Sequence, residues 1–325
     1  MRGLPDGSVG AVVTDPPYGL AFMGKEWDHG IPGVPFWAEA LRVLKPGGYL
    51  AAFGGTRTYH RLACAIEDSG FQLQDCLMWL HGQGFPKGKT QLKPAWEPIL
   101  LAYKPGKRTL NVDACRIGTT GGTTGTDYAK TGLLGIGGKC TITPLNAGRW
   151  PANLLLDEEA ARMLDEQSGE RGGGLGVRGA GSLDGRSSFA MPGQGQTVGY
   201  GDSGGASRFF YTAKASRSDR GLGNDHPTVK PSKLMRWLVR LIAPPGGTVL
   251  DPFLGSGTTA VACVLEGFSC IGIEREPHYL DIARARVAHA SNPTSTGSES
   301  TSTRRTSGGP TKNETASLFS SVSDA

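Results

Sequence analysis

The sequence predicts an α/β fold with a doubly wound, mostly parallel sheet. Three observations support this prediction: short apolar runs of strand length alternate with helical patterns, glycine- and proline-rich turns separate them, and acidic motifs follow two of the runs. Strands that alternate with helices are typical of parallel sheets, in which ligands bind beyond the carboxyl ends of the strands.

The amino-terminal part contains four predicted strands and two predicted helices. Residues 9–13 (VGAVV) form an apolar run that predicts a short buried strand. Residues 36–44 have apolar side chains at helical spacing and end at Lys45-Pro46-Gly47-Gly48, a sequence that stops helices. The other predicted elements are strands at 49–54, 71–80 and 98–103, and a helix at 56–69 that ends at Gly70.

The alternation is lost after about residue 105 and returns after residue 223. Residues 116–148 and 169–208 are rich in Gly, Thr and Ser, with one predicted helix between them at 157–167. The pattern then predicts helices at 232–242, 258–266 and 277–288, and strands at 248–250 and 268–273. We therefore expect two half-domains, at 1–110 and 224–290, an insert at 111–223 and a disordered tail at 291–325.

Composition restricts the class of protein. The 325 residues include 50 Gly without a collagen-like period, and the formal net charge of +5 is compatible with nucleic-acid binding without establishing it. Six Cys occur singly, so we expect neither a metal knuckle nor a redox dithiol. No apolar run approaches the roughly 18 residues that span a bilayer, and no signal peptide follows Met1. We therefore expect a cytoplasmic protein without a metal.

The first acidic motif, Asp15-Pro16-Pro17-Tyr18, directly follows the predicted strand at 9–13. Neither proline can donate a hydrogen bond to a neighbouring strand, and each holds the residue before it in an extended shape. The motif therefore predicts a stiff turn that presents Asp15 and Tyr18 at the carboxyl end of a strand. An ordinary surface turn would have the same sequence, so the motif alone leaves both interpretations open.

The second motif, 249–260 (VLDPFLGSGTTA), is typical of a strand, a glycine turn and the start of a helix. Gly255 and Gly257 fit the nucleotide-binding fingerprint, and Glu274 ends the next predicted strand, where an acid can accept both hydroxyls of a ribose. A dinucleotide would place its pyrophosphate at the helix start, close to Asp251. An acid there suits a cationic ligand better, such as the ammonium group of S-adenosylmethionine.

Together the two motifs resemble those of the amino-group DNA methyltransferases, which methylate adenine N6 or cytosine N4. TDPPYG comes first in the chain and DPFLGSGTT last, which resembles the motif order of the β class of that family. The segment His226-Pro227-Thr228-x-Lys230-Pro231 is similar to a third signature, and residues 92–105 are similar to a later strand region. The resemblance covers about residues 4–105 and 224–288.

The resemblance implies a fold of the S-adenosylmethionine-dependent methyltransferase (Rossmann-like) type, with S-adenosylmethionine as cofactor. Residues 1–110 would then be the catalytic half, 111–223 the Gly-rich target-recognition insert and 224–290 the cofactor-binding half. The substrate would be the exocyclic amine of a flipped base in double-stranded DNA. Adenine N6 is favoured over cytosine N4 because Asp rather than Ser opens the motif. The presence of a cognate restriction nuclease and of a homodimer stays open, and no membrane is expected.

The resemblance also assigns roles to individual residues. The catalytic residues would be Asp15, Pro16, Pro17 and Tyr18, with the Asp15 carboxylate and the Pro16 carbonyl as acceptors for the amine and Tyr18 stacked on the base. The cofactor would contact Asp251, Pro252, Phe253, Gly255, Ser256, Gly257, Thr258, Glu274, His226, Thr228 and Lys230. DNA would contact Trp27, His81, Lys87, Lys89 and Lys93, since basic loops beside such a site bind phosphates.

The sequence departs from the family pattern at its start. In the β class a strand that ends in Gly-Asp and contacts the adenine of the cofactor usually precedes the tyrosine turn, and here Met1 falls after it. We expect a misassigned start rather than a true truncation. The alternatives are a decayed, non-catalytic DNA-binding module and a methyltransferase that acts on RNA or on a protein amide. A nicotinamide-dependent dehydrogenase would leave TDPPYG unexplained.

Overall fold

The computed structural model contains a nine-stranded sheet with helices on both faces. It describes residues 1–21, 24, 28–82, 84, 92–107, 109–118, 123–124, 143–144, 148–172, 203–213, 217–221, 223–292 and 318–320. The strands are β1 Val9–Thr14, β2 Leu44–Phe53, β3 Gln72–Leu80, β4 Trp96–Tyr103, β5 Thr123–Thr124, β6 Thr143–Pro144, β7 Leu154–Asp157, β8 Arg171–Gly172, β9 Ser203–Gly204, β10 Tyr211–Ala213, β11 Thr248–Asp251, β12 Ser269–Ile273 and β13 Leu318–Ser320. The α-helices are α1 Val34–Val43, α2 Tyr59–Asp68, α3 Glu158–Ser168, α4 Arg217–Arg220, α5 Ser232–Ile242, α6 Thr258–Glu266 and α7 Pro277–Ser291, and short 3₁₀ helices lie at Val112–Cys115 and Ala206–Phe209.

In the nine-stranded sheet, all strands except β4 point in the same direction. The order is β10-β7-β3-β4-β2-β1-β11-β12-β13, and β4 is antiparallel to both β2 and β3. The carboxyl ends of the other strands therefore meet at one edge, where the amino end of β4 also lies. We call this edge the carboxyl edge. The doubly wound, mostly parallel sheet predicted from the sequence is confirmed.

The connections change direction between β1 and β11. Helix α1 links β1 to β2 on one side of this pair, and α6 links β11 to β12 on the other side. In sheets of this kind, such a reversal opens a crevice beyond the carboxyl ends of the two central strands. The residues that follow β1 and β11 are therefore positioned to line one site.

Two helical layers bury the centre of the sheet. Helix α5 buries four apolar side chains that recur at helical spacing: Leu234, Trp237, Leu238 and Leu241. On the opposite face, α1 buries Trp37 completely. Strand β1 alternates between the layers, because Val13 belongs to the cluster around α5 and Val12 to the cluster around α1. Each large apolar side chain buried in this way stabilises the fold by about 1.5–3 kcal/mol.

Most of the predicted elements are present with shifted ends. Strand β2 begins at Leu44 rather than at residue 49, because Leu44 is itself extended and pairs with Val9. The register then shifts before Tyr49 pairs with Ala11, and Gly47 in between has a φ of +76°. Helix α2 begins at Tyr59 rather than at residue 56, because the carbonyl of Gly55 accepts the amide hydrogens of Thr58 and Tyr59 in a preceding turn. Each shift reflects a local pairing that the apolar pattern does not record.

Two strands of the predicted insert, β7 and β10, belong to the main sheet, whereas β5–β6 and β8–β9 form two separate two-stranded sheets. Strand β7 pairs parallel with β3, β10 pairs parallel with β7, and α3 connects them. Asp157 caps α3, since its carboxylate accepts the Ala160 amide hydrogen at 2.6 Å. The sequence predicted α3 but neither strand, because β7 has four residues and β10 three, too few to display a clear strand pattern. A role of this region in target recognition stays a prediction.

The tail expected at 291–325 contains one described strand. Strand β13 pairs parallel with β12, so these three residues depart from the expectation of a tail without regular structure. Residues 293–317 and 321–325 lie outside the described residues. None of the helices in the described part of the chain combines the length and the apolar character needed to cross a bilayer.

Candidate active site

The two acidic motifs lie side by side at the carboxyl edge. Strands β1 and β11 are direct neighbours, with Val12 opposite Leu250. The hydroxyl of Thr14, the last residue of β1, donates a hydrogen bond to Asp251 Oδ1 at 2.7 Å, across a sequence separation of 237 residues. The hydrogen bond between Thr14 and Asp251 therefore holds together the starts of the turns that follow the two strands.

A polar cluster of Asp15, Tyr18, Glu97 and Lys230 lies beside this point, and we call it the acid–lysine cluster. The Lys230 ammonium is 2.7 Å from Asp15 Oδ2 and 3.3 Å from Glu97 Oε2. The Tyr18 hydroxyl is 2.8 Å from Asp15 Oδ1, and 3.1 Å from both Glu97 Oε2 and Lys230 Nζ. The Lys230 ammonium and the Tyr18 hydroxyl therefore each contact both carboxylates.

The electrostatics of the cluster fix the protonation state of three groups. Burial alone would lower the pKa of Lys230, but Asp15 and Glu97 outweigh burial and raise that pKa. Burial would raise the pKa of Glu97, yet Lys230, His81 and Tyr18 lower it to about 2. Burial and the two neighbouring carboxylates raise the pKa of Tyr18 well above its ordinary value. At neutral pH, Lys230 is therefore charged, Glu97 is ionised and Tyr18 is a neutral hydrogen-bond donor.

The backbone of Tyr18 is fixed from two directions. The buried carboxylate of Asp28 accepts the amide hydrogens of Tyr18 and Gly19 on Oδ1, at 2.7 and 2.9 Å. Its Oδ2 accepts the amide hydrogen of Leu20 at 3.2 Å. The hydroxyl of Thr58 donates to the Tyr18 carbonyl at 2.7 Å. Moving Tyr18 would therefore break several bonds, which are costly to leave unmade in a buried setting.

The segment 226–230 connects the glycine turn to the acid–lysine cluster. The His226 ring lies edge-on to Tyr279, with ring centroids 4.4 Å apart, and its Nε2 would be 3.0 Å from a Cβ added to Gly255. Burial lowers the pKa of His226, so the imidazole is neutral at neutral pH, and its Nδ1 lies 2.5 Å from the Thr228 carbonyl. Four residues after His226, the side chain of Lys230 reaches Asp15.

Glu274 organises the glycine turn. Its Oε2 accepts the amide hydrogen of Gly255 at 2.7 Å, and its Oε1 accepts that of Glu276 at 2.9 Å. A carboxylate offers about four acceptor positions, so Glu274 keeps capacity for the hydroxyls of a ribose. Gly257 has a φ of +83°, and a Cβ there would lie 2.7 Å from the Cβ of Ala283. This glycine therefore permits the close packing of α6 on α7.

Asp251 is buried at the end of β11. It is 2 % exposed, its Oδ1 accepts from Thr14 and from the amide of Phe253, and its Oδ2 accepts from the Thr259 hydroxyl. Burial raises the pKa of Asp251 to about 6, although these three donors oppose the shift. Asp251 therefore shapes the turn after β11, and a contact between this acid and a cationic ligand stays a prediction.

The hydroxyls of Ser256 and Thr258, expected at the cofactor, are bound within the protein by Arg286 of α7. One guanidinium nitrogen donates to the Ser256 carbonyl at 2.6 Å, to Ser256 Oγ at 2.9 Å and to Thr258 Oγ1 at 3.1 Å. Another donates to the Asp219 carbonyl at 2.6 Å. Ser256 and Thr258 are buried, so these contacts indicate a structural role for both hydroxyls.

The remaining motif residues differ in how far they are buried. The ring of Phe253 stacks on Phe36 of α1, with centroids 4.8 Å apart. Pro16 and Pro252 are buried, whereas Pro17 is half-buried.

Two of the five residues predicted to contact DNA are described, and both lie at the carboxyl edge. His81 follows β3, with Nε2 3.4 Å from Glu97 Oε1 and Nδ1 3.9 Å from Asp157 Oδ2. Lys93 is exposed, and its ammonium donates to the Gly82 carbonyl at 3.0 Å. His81 therefore borders the acid–lysine cluster, while Lys93 is open to solvent. Trp27, Lys87 and Lys89 lie outside the described residues.

Sequence reasoning missed Glu97 because the direction of its strand was unknown. At the start of a parallel strand, an acid would lie on the edge opposite the site. Strand β4 runs in the other direction, so Glu97, its second residue, lies at the carboxyl edge. The available signal was an acid between Trp96 and Pro98, at the start of an otherwise apolar run.

Comparison with known proteins identifies the family. The structure is a doubly wound sheet in which an acidic turn and a glycine turn lie at the switch point. Residues 9–285 match the N6/N4 methyltransferase family, described as DNA methylase. The match includes both motifs and the segment 226–230. The chain therefore belongs to this family of DNA methylases.

Individual relatives agree with this assignment. The chain is 22 % identical over 308 residues to the DNA adenine methyltransferase YhdJ of Escherichia coli (strain K12), which covers 90 % of this chain and 80 % of that protein. It is 45 % identical over 64 residues to the type II methyltransferase M.BglI of Bacillus subtilis, which covers 20 % of this chain and 18 % of that protein's length. The fold is similar to that of the cytosine-N4-specific PvuII DNA methyltransferase, with a TM-score of 0.50, 18 % identity, and coverage of 88 % of this chain and 81 % of that one.

Proposed function

We propose that this protein is a site-specific DNA methyltransferase that moves a methyl group from S-adenosylmethionine to the N6 amine of a flipped adenine. The observation that carries the proposal is the acid–lysine cluster, in which Asp15 and Tyr18 are fixed at the switch point of the sheet beside a glycine turn. Membership of the DNA methylase family supports the reaction class.

The residues at the switch point fit a nucleoside with a positively charged sulphur. Glu274 keeps acceptor capacity for ribose hydroxyls while it holds Gly255. Asp15 and Glu97 exceed Lys230 by one negative charge, which suits a sulfonium group. When bound, S-adenosylmethionine supplies an electrophilic methyl group. His226 and the other motif residues would shape this site through the turn rather than through their own polar atoms.

Asp15 would act as an acceptor for the target amine. The lone pair of such an amine is delocalised into the base, so acceptors on both N–H groups are needed to draw the nitrogen toward a tetrahedral shape. The Asp15 carboxylate is one acceptor, and the Pro16 carbonyl is the second. Asp15 would also take the N–H proton that the amine releases when it accepts the methyl group that the bound cofactor would supply. Fixed acceptors and positioning supply most of the acceleration.

Tyr18 would stack on the flipped base. The target amine is hidden inside a duplex, so the base must leave the stack before reaction. Three partners fix the Tyr18 hydroxyl, and Asp28 and Thr58 fix its backbone. The ring is therefore in place before DNA arrives. Lys93 would contact phosphates, and the insert at 111–223 is the proposed target-recognition region.

Adenine is proposed as the target because a carboxylate, rather than a serine hydroxyl, precedes the two prolines. The comparisons are compatible with either base, since the sequence relative YhdJ is named a DNA adenine methyltransferase and the PvuII enzyme of similar fold is named cytosine-N4-specific. The choice of base is therefore the finer part of the proposal.

The test is methyl transfer from labelled S-adenosylmethionine to unmodified duplex DNA, followed by hydrolysis and identification of the labelled base. Label in N6-methyladenine is the expected result, and Asp15→Ala should give none. Label in N4-methylcytosine would keep the reaction class and correct the base. Label that enters RNA or protein in preference to DNA would overturn the proposed substrate.

A further inference from the structure

Glu97 belongs to the acid–lysine cluster, but it is not one of the proposed acceptors for the target amine. Its Oε2 lies 3.3 Å from Lys230 Nζ and 3.1 Å from the Tyr18 hydroxyl. We propose that Glu97 is a positioning residue that offsets the charge of Lys230, so that the cluster around Asp15 stays net negative toward a cationic methyl donor. This inference rests on the proposed function and identifies the group that sets the net charge around its catalytic acceptor, Asp15.

The net charge at the site depends on Glu97. Asp15 and Lys230 alone would form a neutral pair, with the ammonium 2.7 Å from the carboxylate. With Glu97 present, two carboxylates share one ammonium, and the sum is one negative charge. A negative site attracts the sulfonium of the donor, and it also stabilises the positive charge that develops on the attacking nitrogen. Both attractions are stronger in a partly buried site than in water.

The sheet itself determines where Glu97 lies. Strand β4 inserts between β2 and β3, with Phe53 opposite Ile99 and Trp79 opposite Glu97. The Lys230 ammonium also lies 4.9 Å from the centre of the Phe53 ring, and its side chain is only 12 % exposed. Lys230 is therefore confined among the two acids, the Tyr18 hydroxyl and an aromatic face.

The surroundings of Glu97 favour a constant negative charge over a role as a proton carrier. Lys230, His81 and Tyr18 together overcome burial and hold the pKa of Glu97 at about 2. A group with that pKa carries almost no proton at neutral pH, so it provides a constant charge. This is the property that an offset for Lys230 requires.

The test is the preference of the full-length protein for S-adenosylmethionine over S-adenosylhomocysteine, which lacks the methyl group and the positive charge. Calorimetry at pH 8 would give both dissociation constants for the wild type, Glu97→Gln, Lys230→Met and the double variant. Glu97→Gln should reduce the preference for the charged ligand by about three- to tenfold. Lys230→Met should not reduce it, and the double variant should return to within about twofold of the wild type.

Single-turnover methyl transfer provides a second readout. Glu97→Gln should slow transfer by roughly 10- to 100-fold, a range expected when one electrostatic contribution is removed. The double variant should be faster than Glu97→Gln alone, because removal of Lys230 restores the negative sum. A purely structural role predicts the opposite order, with the double variant the slowest.

Two outcomes would overturn the inference and leave the proposed function unaffected. These are equal weakening of both ligands in Glu97→Gln, and a further loss of preference in the double variant. If Glu97→Gln does not fold, Glu97→Asp and the double variant decide, and both must keep the wild-type preference. A wild-type protein that binds neither ligand would overturn the proposed function itself, and this inference with it.

Discussion

Two Asp-Pro sequences follow neighbouring parallel strands in this protein, and their acids have opposite surroundings. The Asp15 side chain is 24 % exposed and pairs with a charged group, the Lys230 ammonium. Asp251 is 2 % exposed, and its partners are the hydroxyls of Thr14 and Thr259 and one amide. Asp15 thus has a charged partner and a partly exposed carboxylate, whereas the Asp251 carboxylate is bonded to three neutral donors that hold the turn after β11.

The comparison shows why position at a strand end is not enough to assign a role. Both acids satisfy the rule that functional residues lie beyond the carboxyl ends of parallel strands. The difference comes from the neighbours: a lysine supplied by the segment 226–230 in one case, and threonines from β1 and α6 in the other.

The largest loss of methyl transfer is expected for Asp15→Ala. Methyl transfer should fall by about 10²–10⁴-fold, because the acceptor for the amine is removed. Affinity for S-adenosylmethionine should fall by less than about tenfold, since Glu274 and the glycine turn are untouched. Single-turnover kinetics and calorimetry would separate the two quantities. Equal losses of rate and affinity would mean that Asp15 is a binding residue and not the catalytic acceptor for the amine.

Asp251→Asn should affect stability in a pH-dependent way. Burial raises the pKa of Asp251 from 3.8 to about 6 in the folded state. A raised folded-state pKa favours folding below pH 4, and this contribution is lost as the pH rises through 6. Relative to the Asn variant, the wild type should therefore lose roughly 2–3 kcal/mol of unfolding free energy between pH 4 and pH 7. Urea unfolding at several pH values would measure it, and parallel curves would contradict the assignment.

Asp28→Ala should slow methyl transfer by about 10- to 100-fold, because the loop that carries Tyr18 loses three bonds to a buried carboxylate. It should also reduce the free energy of unfolding by roughly 1–3 kcal/mol. Asp68→Ala, which removes an exposed acid at the end of α2, is the matched control. A variant that loses stability but keeps the wild-type rate at low temperature would show that Tyr18 needs no such support.

The smallest effect is expected for removal of residues 293–325. Strand β13 contributes three residues to the edge of the sheet, two strands away from β11, so activity should change by less than about twofold. Thermal unfolding should show a small decrease at most. An inactive truncated protein would demonstrate that the sheet edge beyond β12 contributes to the site.

The sequence predicted the fold and the approximate place of the site because both depend on local patterns. Apolar runs, glycine stops and the acid-proline turns are each readable over a few residues. The partners were not predictable in the same way: Glu97 depends on the direction of β4, and the Arg286 contacts to Ser256 and Thr258 depend on the packing of α7 on α6. Side-chain environments such as the burial of Asp251 follow from these long-range contacts, which a single sequence does not display.

The 215-residue separation between Asp15 and Lys230 has a consequence for synthesis of the chain. At about 5–20 residues per second, a ribosome takes roughly 10–40 s to produce the lysine after the acid. Until then β1, which ends as an interior strand, lacks its β11 neighbour and exposes one hydrogen-bonding edge. Exposed edges of apolar strands invite pairing with other chains. The nascent protein therefore passes through a period in which aggregation competes with completion of the sheet, and enzymatic activity can only begin once that period ends.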